Sequence, residues 1–189
     1  MKATRPGQEC LTDRVRLDNM NRFLATGPLG VIVEAGVYRG GSLMALAMAN
    51  PGRSCYGFDT FCGLPPVGEH DPVYEAGDFP SDYELVCERF RAVDNVILTR
   101  GVYPRSDVIL PHPVALAHVD VDIYDSTIDA CRHLAKFMTE GGRLYCDDAG
   151  IPEASGATLA FIEFAVEYGR KVRFDTPDAN GLPHWYISW

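Results

Sequence analysis

Three observations predict a doubly wound α/β domain on a mostly parallel sheet. Short β-branched apolar runs alternate with helical patterns along almost the whole chain. Two of these runs flank a helical pattern closely enough to make a β-α-β unit, the beginning of a parallel sheet. The 189 residues, 47% of them apolar, suffice for one domain with a sizeable core.

The elements follow in order. Leu11 to about Ala25 is a predicted helix, with Leu11, Val15, Met20, Phe23 and Leu24 at helical spacing, Thr12 or Asp13 as its cap and Gly27-Pro28 as its stop. Gly30 to Val37, GVIVEAGV, is β-branched and apolar, which predicts a buried strand. Gly40-Gly41-Ser42 turns into the helix SLMALAMAN, ended by Pro51-Gly52, and SCYGFD is the second strand. Thr60 to Pro80 is rich in Gly and Pro and lacks periodicity, which predicts a functional loop or lid. Ser81 is the expected cap of a helix running to about Ala92, and Asn95 to Arg100 is a third strand. After a short element near Arg105 to Leu110, PVALAHVDVDIY supplies a fourth strand. Ser126 to Met138 is helical and is expected to end at Gly141-Gly142, with RLYCDD as the fifth strand. Ala157 to Tyr168 is the last helix, and KVRFD and HWYISW are two closing strands.

Composition excludes several functions. A net charge of −9 repels phosphate backbones and anionic membrane surfaces, so neither nucleic acid nor membrane is an expected partner. No apolar run approaches the roughly 20 residues needed to span a bilayer. The start MKATRPGQEC has no apolar h-region, which predicts no secretory signal. Six cysteines without a C-x-x-C pair are expected to be reduced thiols used as small hydrophobes in a cytoplasmic protein.

Three motifs carry chemistry. Glu34-Ala35-Gly36-Val37-Tyr38-Arg39-Gly40-Gly41-Ser42 lies between a strand and a helix, where glycines admit close backbone approach and the helix start attracts a carboxylate or phosphate. Its spacing departs from the dinucleotide fingerprint G-x-G-x-x-G and suits the amino-acid moiety of S-adenosylmethionine (AdoMet) better than a pyrophosphate. Asp59, at the end of the second strand and 23 residues beyond Gly36, is placed to accept both hydroxyls of a ribose. Gly40, Thr60 beside Asp59, and Gly101 after the third strand complete the candidate cofactor side. The third motif is Asp120-Val121-Asp122 after the fourth strand with Asp147-Asp148 after the fifth. Asp120 and Asp122 are expected on one face of their strand because side chains alternate. Clustered carboxylates need a compensating cation, and hard oxygen donors favour Mg²⁺, Mn²⁺ or Ca²⁺ over zinc.

With these pieces in place the chain resembles the macrocin O-methyltransferase family, AdoMet-dependent enzymes of natural-product pathways. The matching segments are VEAGVYRGGSL, YGFDTFCGLPP, EAGDF, AHVDVDIYDST, GGRLYCDDAG, GATLAFIEF and HWYISW, from about Val31 onward. The resemblance implies a Rossmann-like class I methyltransferase, a seven-stranded mostly parallel sheet with helices on both faces. It places Glu34, Gly36 and Ser42 at the methionine end of AdoMet, Asp59 at its ribose, and Asp120, Asp147 and Asp148 around Mg²⁺ (or Mn²⁺). It implies sugar or secondary-metabolite hydroxyls as acceptors. Residues 29–189 would form the AdoMet-binding domain, with 1–28 a helical segment that caps it or contacts a second subunit in a homo-oligomer.

A neutral alcohol is a poor nucleophile, so the expected mechanism uses a cation to acidify the acceptor and a base to take its proton. Asp120 and His184 are the candidate bases, while His118, His112 and His133 have more ordinary settings. Two other readings are a metal-dependent glycosyltransferase, which also uses Asp-x-Asp, and a catalytically silent AdoMet-binding subunit. The loop from Glu34 to Ser42 with Asp59 argues against the first, and intact acids argue against the second.

Overall fold

A computed structural model describes residues 10–104, 110 and 113–189. Apart from Leu110, the short element expected near Arg105 to Leu110 lies outside the described residues, as does His112. Strands β1 (Val31–Ala35), β2 (Cys55–Asp59), β3 (Val96–Arg100), β4 (Val114–Val119), β5 (Met138–Cys146), β6 (Val172–Phe174) and β7 (Trp185–Ser188) form one seven-stranded sheet in the order β3-β2-β1-β4-β5-β7-β6. The first five are parallel, and β7 runs antiparallel between β5 and β6. The strand order reverses between β1 and β4, which opens a crevice at their carboxyl ends.

Helices α1 (Arg14–Thr26), α2 (Gly41–Ala49), α3 (Tyr83–Arg89), α4 (Tyr124–Leu134) and α5 (Ser155–Glu167) flank the sheet. Alternation of side chains divides β1 between two cores. Val33 and Ala35 join Ala117, Val119, Leu144, Phe161 and Phe164 beside α4 and α5. Ile32 joins Met20, Leu24, Leu43, Leu46 and Leu116 beside α1 and α2. Because Met20 and Leu24 belong to this second core, α1 packs on its own domain.

Several boundaries differ from expectation. Helix α1 begins three residues later than Leu11, because the Asp13 carboxylate accepts the Val15 N–H at 2.8 Å and caps it there; Leu11 and Thr12 face the crevice. The cap of α3 is Asp82, not Ser81: its carboxylate accepts from the N–H groups of Glu84 and Leu85. Helix α4 starts at Tyr124, not Ser126, and stops at Leu134. Gly141-Gly142 does not end it. The pair lies within β5, at an irregularity where Gly141 adopts φ 77° and the two glycines exchange backbone hydrogen bonds with Trp189. Strand β4 ends at Val119, so alternation does not carry through Asp120-Val121-Asp122. Asp122 instead takes a left-handed conformation, φ 62°, and donates its N–H to Asp148 Oδ2 at 2.9 Å.

Candidate active site

Backbone hydrogen bonds carry the sheet register into the crevice. Gly36 N–H donates to Phe58 O, Asp120 N–H to Ala35 O, Asp147 N–H to Val119 O and Gly101 N–H to Asp59 O. Five strand ends are thereby held side by side around a cavity of about 670 Å³, within the range of small-molecule sites. Gly36, Ser42, Asp59, Thr60, Gly101, Asp120, Asp147 and Asp148 all line it. So do Tyr38, Arg39 and Asp122 from the motifs read in the sequence, Tyr74 from the Thr60 to Pro80 loop, and Glu153, which no motif included.

Gly36 has a steric reason to be glycine. Its φ is 93°, and a Cβ built on it would stand 1.7 Å from the carbonyl oxygen of Asp120. Gly40, at φ 86°, caps α2 in the left-handed conformation, backs onto Phe90 and is not part of the cavity wall. Asp59 accepts the Tyr38 N–H at 2.7 Å on one oxygen and the Phe61 N–H at 2.6 Å on the other. The strand end thus fixes the loops on both sides of it. A carboxylate oxygen has two lone pairs, so both oxygens retain capacity for ribose hydroxyls.

Glu34 does not reach the cavity. It lies opposite His118 in the β1–β4 register, is 0% exposed, and accepts from His118 Nδ1 at 2.8 Å. The other ring nitrogen of His118 stands 3.4 Å from Asp147 Oδ1. Arg16, buried at 2% exposure, donates to the Asp147 carbonyl, lies 3.3 Å from its carboxylate and pairs with Asp178 at 3.3 Å. Burial disfavours the charged form of His118, but Asp147 and Glu34 outweigh it and raise its pKa well above the ordinary value. Burial likewise opposes the charge on Asp147, and His118 and Arg16 reverse this and lower its pKa. Asp120 shifts upward, through burial and then the charges of Asp147 and Asp148.

His184 stands apart from the other candidate residues. It is fully buried, stacks on Tyr145 and approaches Asp147 Oδ1 only to 3.7 Å. Neither ring nitrogen has a hydrogen-bond partner among the described residues, and burial lowers its pKa to about 3. It is not among the residues lining the cavity.

Two polar sets bear on a metal. Asp120, Asp147 and Asp148 present hard oxygen donors at the cavity, and their mutual repulsion suits a divalent cation. Potential ligand atoms of His118, Asp147 and His184 also converge within 4.8 Å of one another. There, however, His118 is engaged by Glu34 and His184 is enclosed; Asp147, with the Arg16 guanidinium beside it, is common to both sets.

Sequence reasoning missed the Glu34–His118–Asp147–Arg16 network. A signal existed: Glu34 and His118 are lone polar residues inside otherwise apolar strands, and buried charges need partners.

A family model described as Macrocin-O-methyltransferase (TylF) matches residues 7–168, reaching back well before Val31. A Streptomyces olivaceus relative, 8-demethyl-8-(2,3-dimethoxy-alpha-L-rhamnosyl)-tetracenomycin-C 4'-O-methyltransferase, is 29% identical, covering 88% of this chain and 71% of the relative. Among solved structures, the O-methyltransferase NovP matches with TM-score 0.71 and 24% identity over 92% of this chain and 78% of its own. The calicheamicin methyltransferase CalS11 matches with TM-score 0.72 and 23% identity, over 93% and 77% respectively. A Streptococcus mutans protein solved in complex with SAH shares the fold at TM-score 0.62 and 15% identity, over 91% and 96%.

Proposed function

The chain belongs to the macrocin O-methyltransferase family, and on that premise we propose that it transfers the methyl group of AdoMet to a hydroxyl of a small glycosylated or other secondary-metabolite acceptor, with a divalent cation assisting. One observation carries this reading: a single cavity at the β1–β4 switch point is lined by the Gly36 loop, by Asp59 and by Asp120, Asp147 and Asp148. The rhamnosyl acceptor in the name of the Streptomyces olivaceus relative supports a sugar hydroxyl as the target.

In this reading AdoMet lies across β1 to β3. The backbone at Gly36 and the start of α2 at Ser42 receive its carboxylate end, Asp59 its ribose, and Thr60 and Gly101 flank it. Glu34 acts behind this wall, through His118. Asp120, Asp147 and Asp148 would hold Mg²⁺, which when bound stabilises negative charge on the acceptor oxygen. Arg16 and His118 orient Asp147 from behind. The new carbon–oxygen bond forms as the carbon–sulfur bond breaks, its electron pair stays on sulfur, and the hydroxyl proton goes to Asp120. Asp120 is preferred to His184 as base because it lines the cavity, whereas His184 is enclosed and too weakly basic for the task.

The test is methyl transfer to a hydroxyl acceptor with Mg²⁺, with EDTA, and in Asp120→Asn and Asp148→Asn variants. Activity should need Mg²⁺ and be lost with EDTA and in both variants, while S-adenosylhomocysteine still binds the variants. Full activity in EDTA removes the cation from the mechanism. Failure of the wild-type protein to bind S-adenosylhomocysteine removes the whole reading.

A further inference from the structure

The loop between β2 and α3 contributes Leu64, Pro65, Val73, Tyr74, Phe79 and Pro80 to the cavity wall. It has no helix or strand of its own. Its neck is closed by backbone hydrogen bonds between Leu64 and residues 77 and 78, at 2.9 Å each. Its far end is held differently. Asp71 is only 3% exposed, unusual for a carboxylate in a long loop.

Asp71 Oδ2 accepts the N–H of Tyr124, the first residue of α4, at 2.8 Å. Helix α4 has no side-chain cap of its own, since Ile123 stands at that position, and α5 has Ala154 there. Asp71 Oδ1 is buried without a hydrogen-bond partner among the described residues, against the first turn of α5. It fits only because residue 156 is glycine: a Cβ there would lie 1.9 Å from Oδ1. A carboxylate between two helix starts is favourably placed in both dipoles. Beside it, His70 packs on the Tyr124 ring with centroids 4.4 Å apart.

The two helix starts have a further property. Helix α4 follows directly on Asp120 to Asp122, and α5 follows on Asp147 and Asp148 through a short turn. We propose that Asp71 is a positioning residue that pins the β2–α3 loop to the two connections carrying the active-site carboxylates, so that the acceptor wall and the acidic floor are held as one unit. It acts through Val73 and Tyr74, which follow it and face the cavity, and not by touching the reacting atoms. The kinetic part of this inference rests on the methyltransferase reading of the cavity; the structural part does not.

The experiment compares Asp71→Ala, Asp71→Asn and Gly156→Ala with the wild-type chain. Amide exchange over residues 62–80 should accelerate about tenfold or more in Asp71→Ala, with β1 to β5 as protected as before. Asp71→Asn retains a carbonyl for Tyr124 N–H and should recover most of that protection. Gly156→Ala should release the loop as Asp71→Ala does, although alanine favours a helix elsewhere. S-adenosylhomocysteine affinity, read by calorimetry, should change less than about threefold, because its expected contacts lie on β1 to β3. With the rhamnosyl-tetracenomycin acceptor of the relative as probe, KM for the acceptor should rise about tenfold while kcat changes less. Unchanged loop exchange in Asp71→Ala and Gly156→Ala overturns the proposal, as does loss of protection throughout the domain. A wild-type chain that binds S-adenosylhomocysteine but leaves this probe unmethylated counts against the acceptor class, and the exchange data still decide the role of Asp71.

Discussion

Asp59 uses both carboxylate oxygens on backbone N–H groups, Tyr38 on one side and Phe61 on the other. Removing it therefore loosens two loops as well as the proposed ribose contact. Charge-assisted hydrogen bonds contribute about 1.5–3 kcal/mol each, so Asp59→Ala should weaken S-adenosylhomocysteine binding by about tenfold or more. It should also lower Tm, a consequence invisible to a reading that gave Asp59 the ribose alone. Wild-type affinity in a titration of this variant would show that the ribose lies elsewhere. Gly36→Ala tests the neighbouring constraint. A methyl group 1.7 Å from the Asp120 carbonyl cannot be accommodated without moving one strand end. Both Tm and S-adenosylhomocysteine affinity should fall, and a variant indistinguishable from wild type in both would contradict the close packing of β1 on the Asp120 loop.

Helix α1 matters beyond its apolar stripe. It buries Met20 and Leu24 on one turn and carries Arg16 on the same face toward Asp147 and Asp178. Asn19 on that face donates to Thr176 O, so α1 also fastens the loop that precedes β7. A buried guanidinium between two carboxylates is costly to delete, because Asp178 loses this ion pair and Asp147 keeps His118 without Arg16. Arg16→Met should lower stability by about 3–5 kcal/mol, measured by urea unfolding. A loss below about 1 kcal/mol would mean that water reaches Asp147 and Asp178 and takes over the role of Arg16. The first half of β5 shows the opposite case, where a local signal misled. Gly141-Gly142 reads as a helix stop, yet the helix has ended seven residues earlier, and the glycines lie where β5 pairs irregularly with β4 and exchange backbone hydrogen bonds with Trp189.

Across the whole molecule, buried titrating groups set how stability responds to pH. The pKa of His118 is raised in the folded state, so its contribution is fully present below the unfolded value of about 6.5 and is lost as pH rises through the folded value. Asp120, also raised, adds a decline that begins above about 3.9. Asp147, lowered, contributes above its unfolded value and loses that contribution only in acid. His184, lowered to about 3, makes stability rise with pH up to about 6.5 and is silent beyond it. Above about pH 6.5, in EDTA, the remaining trend is therefore a fall, and His118→Asn should flatten it in denaturation curves taken from about pH 6.5 to about 8, below the range where the thiols of Cys10, Cys55, Cys131 and Cys146, all raised by burial, add their own decline. An unchanged slope in that variant would show that His118 is neutral in the folded chain. No helix among the described residues is long and apolar enough to cross a membrane.

The sequence by itself determined the sheet and the identity of the cavity's main residues. Buried parallel strands are continuous apolar runs, so β1, β2, β4 and their carboxyl ends were legible, and with them Gly36, Asp59, Asp120, Asp147 and Asp148, because ligands of such sheets gather at those ends. Helix limits were less legible, since Asp13, Asp82 and the remote Asp71 compete as caps with nearer candidates. Tertiary structure alone decided what stands behind the cavity. Glu34 and His118 are 84 residues apart and meet only through the β1–β4 register, which turned an expected ligand contact into a buried support for Asp147. Arg16 reaches Asp147 across 131 residues. His184 was withdrawn from solvent by β5 and β7, whose pairing neither strand encodes locally. Spacing along a chain reports which residues share a face of one element; which faces of distant elements are pressed together depends on packing the whole sheet.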